Sequence, residues 1–451
     1  MSQSALPVLV QREYGRSDQA ARTVERPESD GKALRGAEIS AIDRIVVIND
    51  FSVTNGGCSL LALLSLSQFR DLGIPVTYIC GDEGDPKLAS AAVETVSLGG
   101  QSILTAGARS TLVKGIHNAG ARAMIDRWID AHDTPRTIYH VHGWAKILSP
   151  SIFLALARVA DRTVIHAHDF FLACPNGAFY NYPSHSLCHL TPLSTSCIAS
   201  QCDKRNYAQK LWRSARSARL RSVLSNQTML FKHIVLIHEK MAPLFELAGF
   251  SPDVLHTLRN PVLPFTEERV RAEDNSEFFF IGRLDTEKGI EDAVRAAVDA
   301  GVTLNVIGDG PLAKGLAQMG PQVNWLGWLS HDEIATRVRT ARAVILPTRY
   351  PEPFGLVALE ASMSGIPVLM SDKAYLADEM VAAGTGIACD TSDPAAFAEK
   401  LRDVACMSRD AIQQMSMQAF DGTAKMATTP DEWRDGLIGR YGKLLNHMGD
   451  P

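Results

Sequence analysis

The chain lacks any long hydrophobic run. No apolar stretch approaches the roughly 20 residues that a spanning helix needs. Its first residues hold no apolar signal core and mix acids with bases, which argues against a secreted or imported protein. An excess of one charge is also missing: 45 Lys and Arg against 50 Asp and Glu leave a formal net charge of −5. That balance gives no global attraction to nucleic acid or to an anionic membrane, so any such partner must be met by a local patch. There is no Asp-x-Asp, which weakens a Mg²⁺-dependent phosphoryl or sugar-nucleotide site. There is no Gly-x-Gly-x-x-Gly either, so a nicotinamide dehydrogenase is not supported. Cysteine is sparse, with eight in 451 residues. Several lie in apolar strands such as that of Cys80, which fits a reduced, cytoplasmic setting.

What is present is an alternation of short apolar strands with helical segments. Residues 1–40 are poor in large apolar side chains and dense in mixed charge, and are expected to be a disordered tail. Strands are predicted at residues 44–49, 75–80, 137–142 and 163–168. After a proline-marked pause at residues 258–264, a second series follows at 278–281, 304–307, 323–326, 343–346 and 368–370. Such alternation means parallel sheets covered by helices on both faces. The expected fold is α/β, with two Rossmann-like domains facing across a cleft. The first would span 41–262 with a cysteine-rich insertion at 174–202, and the second 263–430. A helix at 431–451 is expected to cross back to the first. Ligands in such sheets bind outside the carboxyl ends of the strands.

The segment Pro347–Ser362 carries the strongest chemistry. Glu352 and Glu360 stand with seven residues between them and bracket a Pro-Phe-Gly turn. Glu352 is expected in the loop after a strand, and Glu360 about two turns into the following helix. Between them the amides of Phe354, Gly355 and Leu356 would form a helix start open to an anion. Upstream, Gly282-Arg283 and Lys288-Gly289 follow a strand and precede a helix, and the fork of Arg283 with the point charge of Lys288 suits a diphosphate. Gly308-Asp309-Gly310-Pro311 and Asn55-Gly56-Gly57 open helices in the same way, although both are also ordinary turns.

In the first half, His140 and His142 lie on one strand and are expected to face opposite ways. His142, at the carboxyl end beside Gly143, is read as the cleft residue. His166 and His168 repeat the arrangement. Cys174, Cys188, Cys197 and Cys202 crowd the insertion. Their spacings of thirteen, eight and four residues leave structural zinc, a cross-link or packed thiols all open. From Lys204 to Arg221 there are seven basic residues and no acid, either a solvated basic helix face or a contact for anionic lipid head groups.

Taken together, Gly282-Arg283-x4-Lys288-Gly289, Gly308-Asp309-Gly310-Pro311, Leu326-Gly327, Glu352-x7-Glu360, Ser364-Gly365-Ile366-Pro367-Val368 and Asn55-Gly56-Gly57 resemble the retaining GT-B glycosyltransferases of family 4. The resemblance implies a nucleotide-sugar donor held mainly by the second domain, with no cofactor and no catalytic metal. It places Arg283 and Lys288 on the donor diphosphate, Glu360 on the ribose, and Glu352 with the 354–356 backbone on the sugar. Gly56, Gly57, Gly282, Gly308 and Gly310 would line the donor site. His142 would approach the sugar from the first domain, and Asn55 and His168 would face the acceptor. The acceptor would be a polysaccharide, a glycolipid or a lipid-linked glycan of the cell surface, with no role for nucleic acid. Peripheral contact with the inner membrane face through 204–221 is part of this reading. Two departures stand out. His238-Glu239 occupies a Ser-Glu place and Lys373-Ala374-Tyr375-Leu376 lacks a glycine, and both are expected to lie clear of the donor motif. An epimerase of the same fold and a non-catalytic nucleotide-sugar binder are the alternatives.

Overall fold

Short runs of β-branched and aromatic residues, buried on both faces, build two parallel sheets. The computed structural model describes residues 36, 38–91, 93–226, 228–316 and 320–446, so most of the expected 1–40 tail lies outside the described residues. The chain divides into two units. One takes the described residues up to Gly177, then Leu190–Leu258 and the chain from Pro430; the other takes Ala178–His189 and Arg259–Thr429.

In the first unit the strands are β1 (Arg44–Asn49), β2 (Val76–Cys80), β3 (Glu94–Ser97), β4 (Thr137–Val141), β5 (Thr163–Ala167), β6 (His233–Leu236) and β7 (Leu255–Thr257), in spatial order β7-β6-β5-β4-β1-β2-β3. All pairings in this sheet are parallel, with Val47 opposite Tyr78 on one side and His140 on the other. Helix α1 (Gly57–Asp71) follows β1 and is buried from Leu61 to Phe69, as a crossover helix laid on a parallel sheet must be. Two further helices matter later: α2 (Ala108–Lys114) and α3 (Tyr207–Leu224).

The second sheet contains β8 (Glu277–Ile281), β9 (Leu304–Ile307), β10 (Val323–Gly327), β11 (Ala341–Leu346), β12 (Val368–Ser371) and β13 (Gly386–Cys389), in order β10-β9-β8-β11-β12-β13. Helix α4 (Ile290–Ala300) buries Ile290, Ala293, Val294, Ala296 and Ala297 in the core under this sheet. Helix α5 (Leu356–Met363) follows β11. The last helix, α6 (Pro430–Asn446), groups with the first unit. There its Trp433 and Tyr441 are fully buried, and the Pro430 carbonyl accepts from Gln68 Nε2 at 2.8 Å. Among the described residues no helix is long and apolar enough to cross a membrane.

The insertion expected wholly within the first domain is divided. A small hairpin pairs Tyr180–Asn181 with Ser186–Leu187, and the buried Tyr180 lies in the field of Arg349 and Asp292. Residues 178–189 therefore pack with the second unit.

Candidate functional site

In each sheet the strand order reverses between two neighbours, which is where a doubly wound sheet opens a crevice. In the second unit these neighbours are β8 and β11. Gly282 and Arg283 leave β8, a turn of tight helix at Thr286–Lys288 follows, and Gly289 opens α4. Gly289 adopts φ 71°, and a Cβ there would lie 1.8 Å from the Pro347 carbonyl oxygen. Only glycine lets the two loops touch. Gly308 does the same after β9, where a Cβ would meet the Gly282 carbonyl oxygen at 1.9 Å. The amides of Gly282 and Leu284 donate to Ile307 and Asp309 carbonyls, both at 3.0 Å. The Gly308–Gly310 loop is thereby zipped to the Gly282–Leu284 loop.

Lys288 Nζ donates to Glu352 Oε2 at 2.6 Å, and the Thr348 hydroxyl reaches the same oxygen at 3.4 Å. Glu352 is buried and Lys288 half-buried. The Tyr350 ring centroid lies 5.5 Å from the ammonium. Burial, and then the adjoining Glu352 carboxylate, keep the Tyr350 phenol protonated. Arg283 has a side chain 63% exposed, with Nη2 2.9 Å from Asp285 and 3.6 Å from Glu287. Both cations that the sequence sets out for a diphosphate are thus already paired with carboxylates. Arg349 Nη2 donates to Asp292 at 2.8 Å and its amide to the Glu287 carbonyl at 2.9 Å, which ties the loop after β11 to the loop after β8.

Gly355 precedes α5, whose start at Leu356 has no side-chain cap, so the first amides form a positive helix end. Phe354 is buried beside it. Glu360 is half-buried at the start of the second turn rather than two turns in, because the helix begins only at Leu356. The 373–376 stretch is not clear of this site: the Tyr375 amide donates to the Glu352 carbonyl at 3.2 Å.

In the first unit the reversal lies between β1 and β4. Asp50, just past β1, accepts the amides of Lys146, Ile147 and Leu148 at 2.7, 2.8 and 2.9 Å. Burial holds its carboxyl above the usual range despite those three donors. Asp50 anchors the loop after β4 and escaped the sequence reading; an acid closing an apolar strand was the available signal. The expectation that His140 and His142 face opposite ways is wrong. Residues two apart on a strand share a face, and the ring centroids lie 4.0 Å apart. His166 and His168 join them, with centroids 4.4 Å apart and rings stacked.

Three hydrogen bonds order this stack. Tyr441 Oη meets His140 Nδ1 at 2.7 Å, His140 Nε2 meets His166 Nδ1 at 3.3 Å, and His142 Nδ1 meets His168 Nε2 at 3.0 Å. Burial pushes His140 and His168 down to about 3, and His142 and His166 well below the usual range. All four are neutral at pH 7. Ligating nitrogens of His140, His142 and His166 lie within 4.8 Å of one another. The rings lie largely face to face, however, whereas coordination needs in-plane lone pairs to converge. His142 and His168 line a pocket of about 90 Å³ with Asn55, Cys58, Lys146 and Asp169. Gly56 precedes α1 without a side-chain cap, and Gly57 is its first residue. The other departure, His238, is fully buried and caps its own turn by accepting the Lys240 amide at 3.1 Å.

In the insertion the thiols are packed, one of the three readings left open, and the basic face expected of the helix after it is not formed. None of the eight cysteines is in a disulfide. Cys188 belongs to the second unit and Cys174, Cys197 and Cys202 to the first. Among the described residues they form no metal-ligand group. Instead Cys174 donates to Asn176 Oδ1 at 3.2 Å, Asn176 Nδ2 reaches Cys202 Sγ at 3.5 Å, and Lys210 Nζ reaches Cys197 Sγ at 3.4 Å. Nor do the bases of α3 form a solvated face. Lys210 and Arg216 are buried, Arg213 pairs with Asp203 at 2.8 Å, and Arg221 reaches the Ala173 carbonyl at 3.4 Å.

Comparison with known proteins bears on both units. Residues 265–417 match the family model of glycosyl transferases group 1. Glycogen synthase of Mycobacterium tuberculosis is 28% identical over 261 residues, which cover 53% of this chain and 59% of that protein. The chain thus spans less than two thirds of that relative. Sucrose-phosphate synthase from Thermosynechococcus elongatus superposes with a TM-score of 0.64 at 17% identity, covering 90% of this chain and all of the other. HepE from Anabaena, solved with UDP and glucose, gives 0.60 at 15% identity over 88% of this chain and 99% of its own. These likenesses establish the fold as GT-B.

Proposed function

We propose that this chain, which carries a glycosyl transferases group 1 domain on a GT-B fold, is a retaining glycosyltransferase that moves a sugar from a nucleotide-sugar donor to a glycan or lipid-linked glycan. The observation that carries the reading is the Lys288–Glu352 pair at 2.6 Å, at the carboxyl ends of β8 and β11 and inside the segment matched to that family. The M. tuberculosis relative is a glycogen synthase, and HepE was solved with UDP and glucose. Both fit a nucleotide-sugar donor.

The chemistry follows from pair exchange. Donor diphosphate arriving at Arg283 and Lys288 takes over cations now held by Asp285 and Glu352. Glu352, released from Lys288, turns to the hydroxyls of the sugar and favours positive charge at its anomeric carbon. As the glycosidic bond breaks, charge grows on the leaving phosphate, where Arg283, Lys288 and the first amides of α5 stabilise it without reorganising. Glu360 takes the ribose. From the first unit, His142 is a neutral hydrogen-bonding partner for the sugar, its ring fixed by His168, while Asn55 and His168 meet the acceptor. Gly56 and Gly57, at the bare start of α1, add backbone donors. The acceptor is read as borne on a membrane.

Incubating the full chain with UDP-, GDP- and ADP-sugars, with and without glycan acceptors, tests the proposal. Transfer from one donor class, lost in Lys288→Ala and Glu352→Ala with the melting curve unchanged, is expected. Normal turnover in either variant would overturn the site assignment, and an epimerised sugar formed without acceptor would move the chain to the isomerases.

A further inference from the structure

Helix α3 buries Lys210 and Arg216 together with Leu220, Val223 and Leu224, and leaves other apolar residues outward. Along its solvent side run Tyr207, Ala208, Leu211, Ala215 and Ala218, with Tyr207 and Leu211 41% and 43% exposed. Exposed apolar side chains gather beside it. Leu112 and Val113 of α2 are 57% and 65% exposed, and Leu104, in the loop before α2, is 61% exposed. These residues form one surface because hydrogen bonds join their elements. Trp212 Nε1 donates to the Leu112 carbonyl at 3.0 Å, Tyr207 Oη to the Ile198 carbonyl at 3.0 Å, and Thr111 Oγ1 to the Ile103 carbonyl at 3.3 Å. A Cβ on Gly115 would strike the Trp212 ring at 2.5 Å, so the two helices are packed as closely as glycine permits. Scattered exposed apolar residues need no explanation, but a contiguous group of this kind does.

The charge around the group has one sign. No acid occurs between Glu94 and Asp126, nor between Asp203 and Glu239, although the chain as a whole is acidic. Lys114 and Arg205 are exposed at the rim. Protruding leucine, valine and tyrosine bordered by cations, on two stretches of chain without an acid, is the composition that lies in the head-group region of a bilayer. An acidic protein would satisfy the cations but leave no reason for Leu112 and Val113 to project.

We propose that the α2–α3 surface of the first unit docks on a bilayer that carries anionic lipid. This rests on the reading of a membrane-borne acceptor and names the surface that meets the membrane. It replaces the basic face expected at 204–221, since Lys210 and Arg216 of that stretch are buried. One of them links the surface to the pocket: Arg216 donates to the Gly115 carbonyl at 2.8 Å and to the Ala145 carbonyl at 2.6 Å. The docking helix thereby holds the loop that carries His142.

The test is flotation of the full chain with vesicles of phosphatidylcholine alone or of equal parts phosphatidylcholine and phosphatidylglycerol. Binding to the mixed vesicles only is expected. Leu112→Asp with Val113→Asp should abolish it, and Lys114→Gln and Arg205→Gln should each lower the partition roughly fivefold. Calorimetry with UDP, GDP and ADP on the same samples reads the donor site in the other unit. Unchanged nucleotide binding in the variants shows that they are folded. Failure of the wild type to bind any nucleotide would count against the glycosyltransferase reading without touching the lipid result. Absence of vesicle binding, equal binding by the Leu112 and Val113 variant, or a self-association that this variant abolishes would overturn the proposal.

Discussion

The two units use one strand order and open their sites at the same topological point, yet they fill them with opposite chemistries. After β8 and β11, charged side chains in partly open loops neutralise one another and can be exchanged by a charged ligand. After β1 and β4, four imidazoles lie stacked and neutral, and the nearby carboxylate Asp50 is spent on three backbone amides. The first arrangement suits a ligand that brings its own charge. The second suits hydroxyl groups, which need hydrogen-bond partners and little field. Sheet topology therefore fixes where a site opens, while the loop residues decide what it can hold.

The contrast can be broken experimentally. The largest effect should come from Gly289→Ala, where left-handed backbone and a contact of 1.8 Å with Pro347 combine. A loss of about 4 kcal/mol is expected, read by urea unfolding, and a loss below 1 kcal/mol would mean that the two loops can part freely. Next, Lys288→Ala should lower transfer at least about 100-fold while single-site melting is kept, measured by nucleotide release with acceptor present. Gly56→Ala should cost only about 2 kcal/mol, because a Cβ at φ 88° meets nothing within 4 Å; equal losses at Gly56 and Gly289 would erase the difference between the units.

The smallest effect per step is that of pH. His140 and His166 are neutral in the fold with pKa values held below the unfolded value of about 6.5. Their contribution is complete above that value and is lost as pH falls from about 6.5 toward about 3, where His140 titrates. Each steepens the loss by up to about 1.4 kcal/mol per pH unit. Hydrogen exchange followed from pH 7.5 to 5 should show the first unit loosening before the second. Parallel loosening of both would count against the stack as its cause.

Legibility in the sequence followed the same division. Gly289, Gly308, Lys288 and Glu352 could be read because backbone contact demands glycine at fixed places, so motif and geometry are tied together. The sheets were readable from their buried apolar runs. The histidine stack was half visible: the pairs at 140/142 and 166/168 were noticed, but their facing was misjudged, and Tyr441 lies 301 residues from the His140 it contacts. The bases of α3 were misread because a run of charge does not show which side of a helix is buried. The pairing of Lys288 with Glu352 could not be read, since residues 64 apart meet only through the strand order.

Helix α6 has a consequence for biosynthesis. It supplies Trp433 and Tyr441 to the interior of the first unit, yet it is translated after the whole of the second. On the ribosome the unit begun first is finished last. Until residues 430–446 emerge, His140 lacks its phenolic partner and Gln68 its carbonyl acceptor, so the nascent first unit waits with an open seam while the second, whose last segment ends at Thr429, already has all its parts.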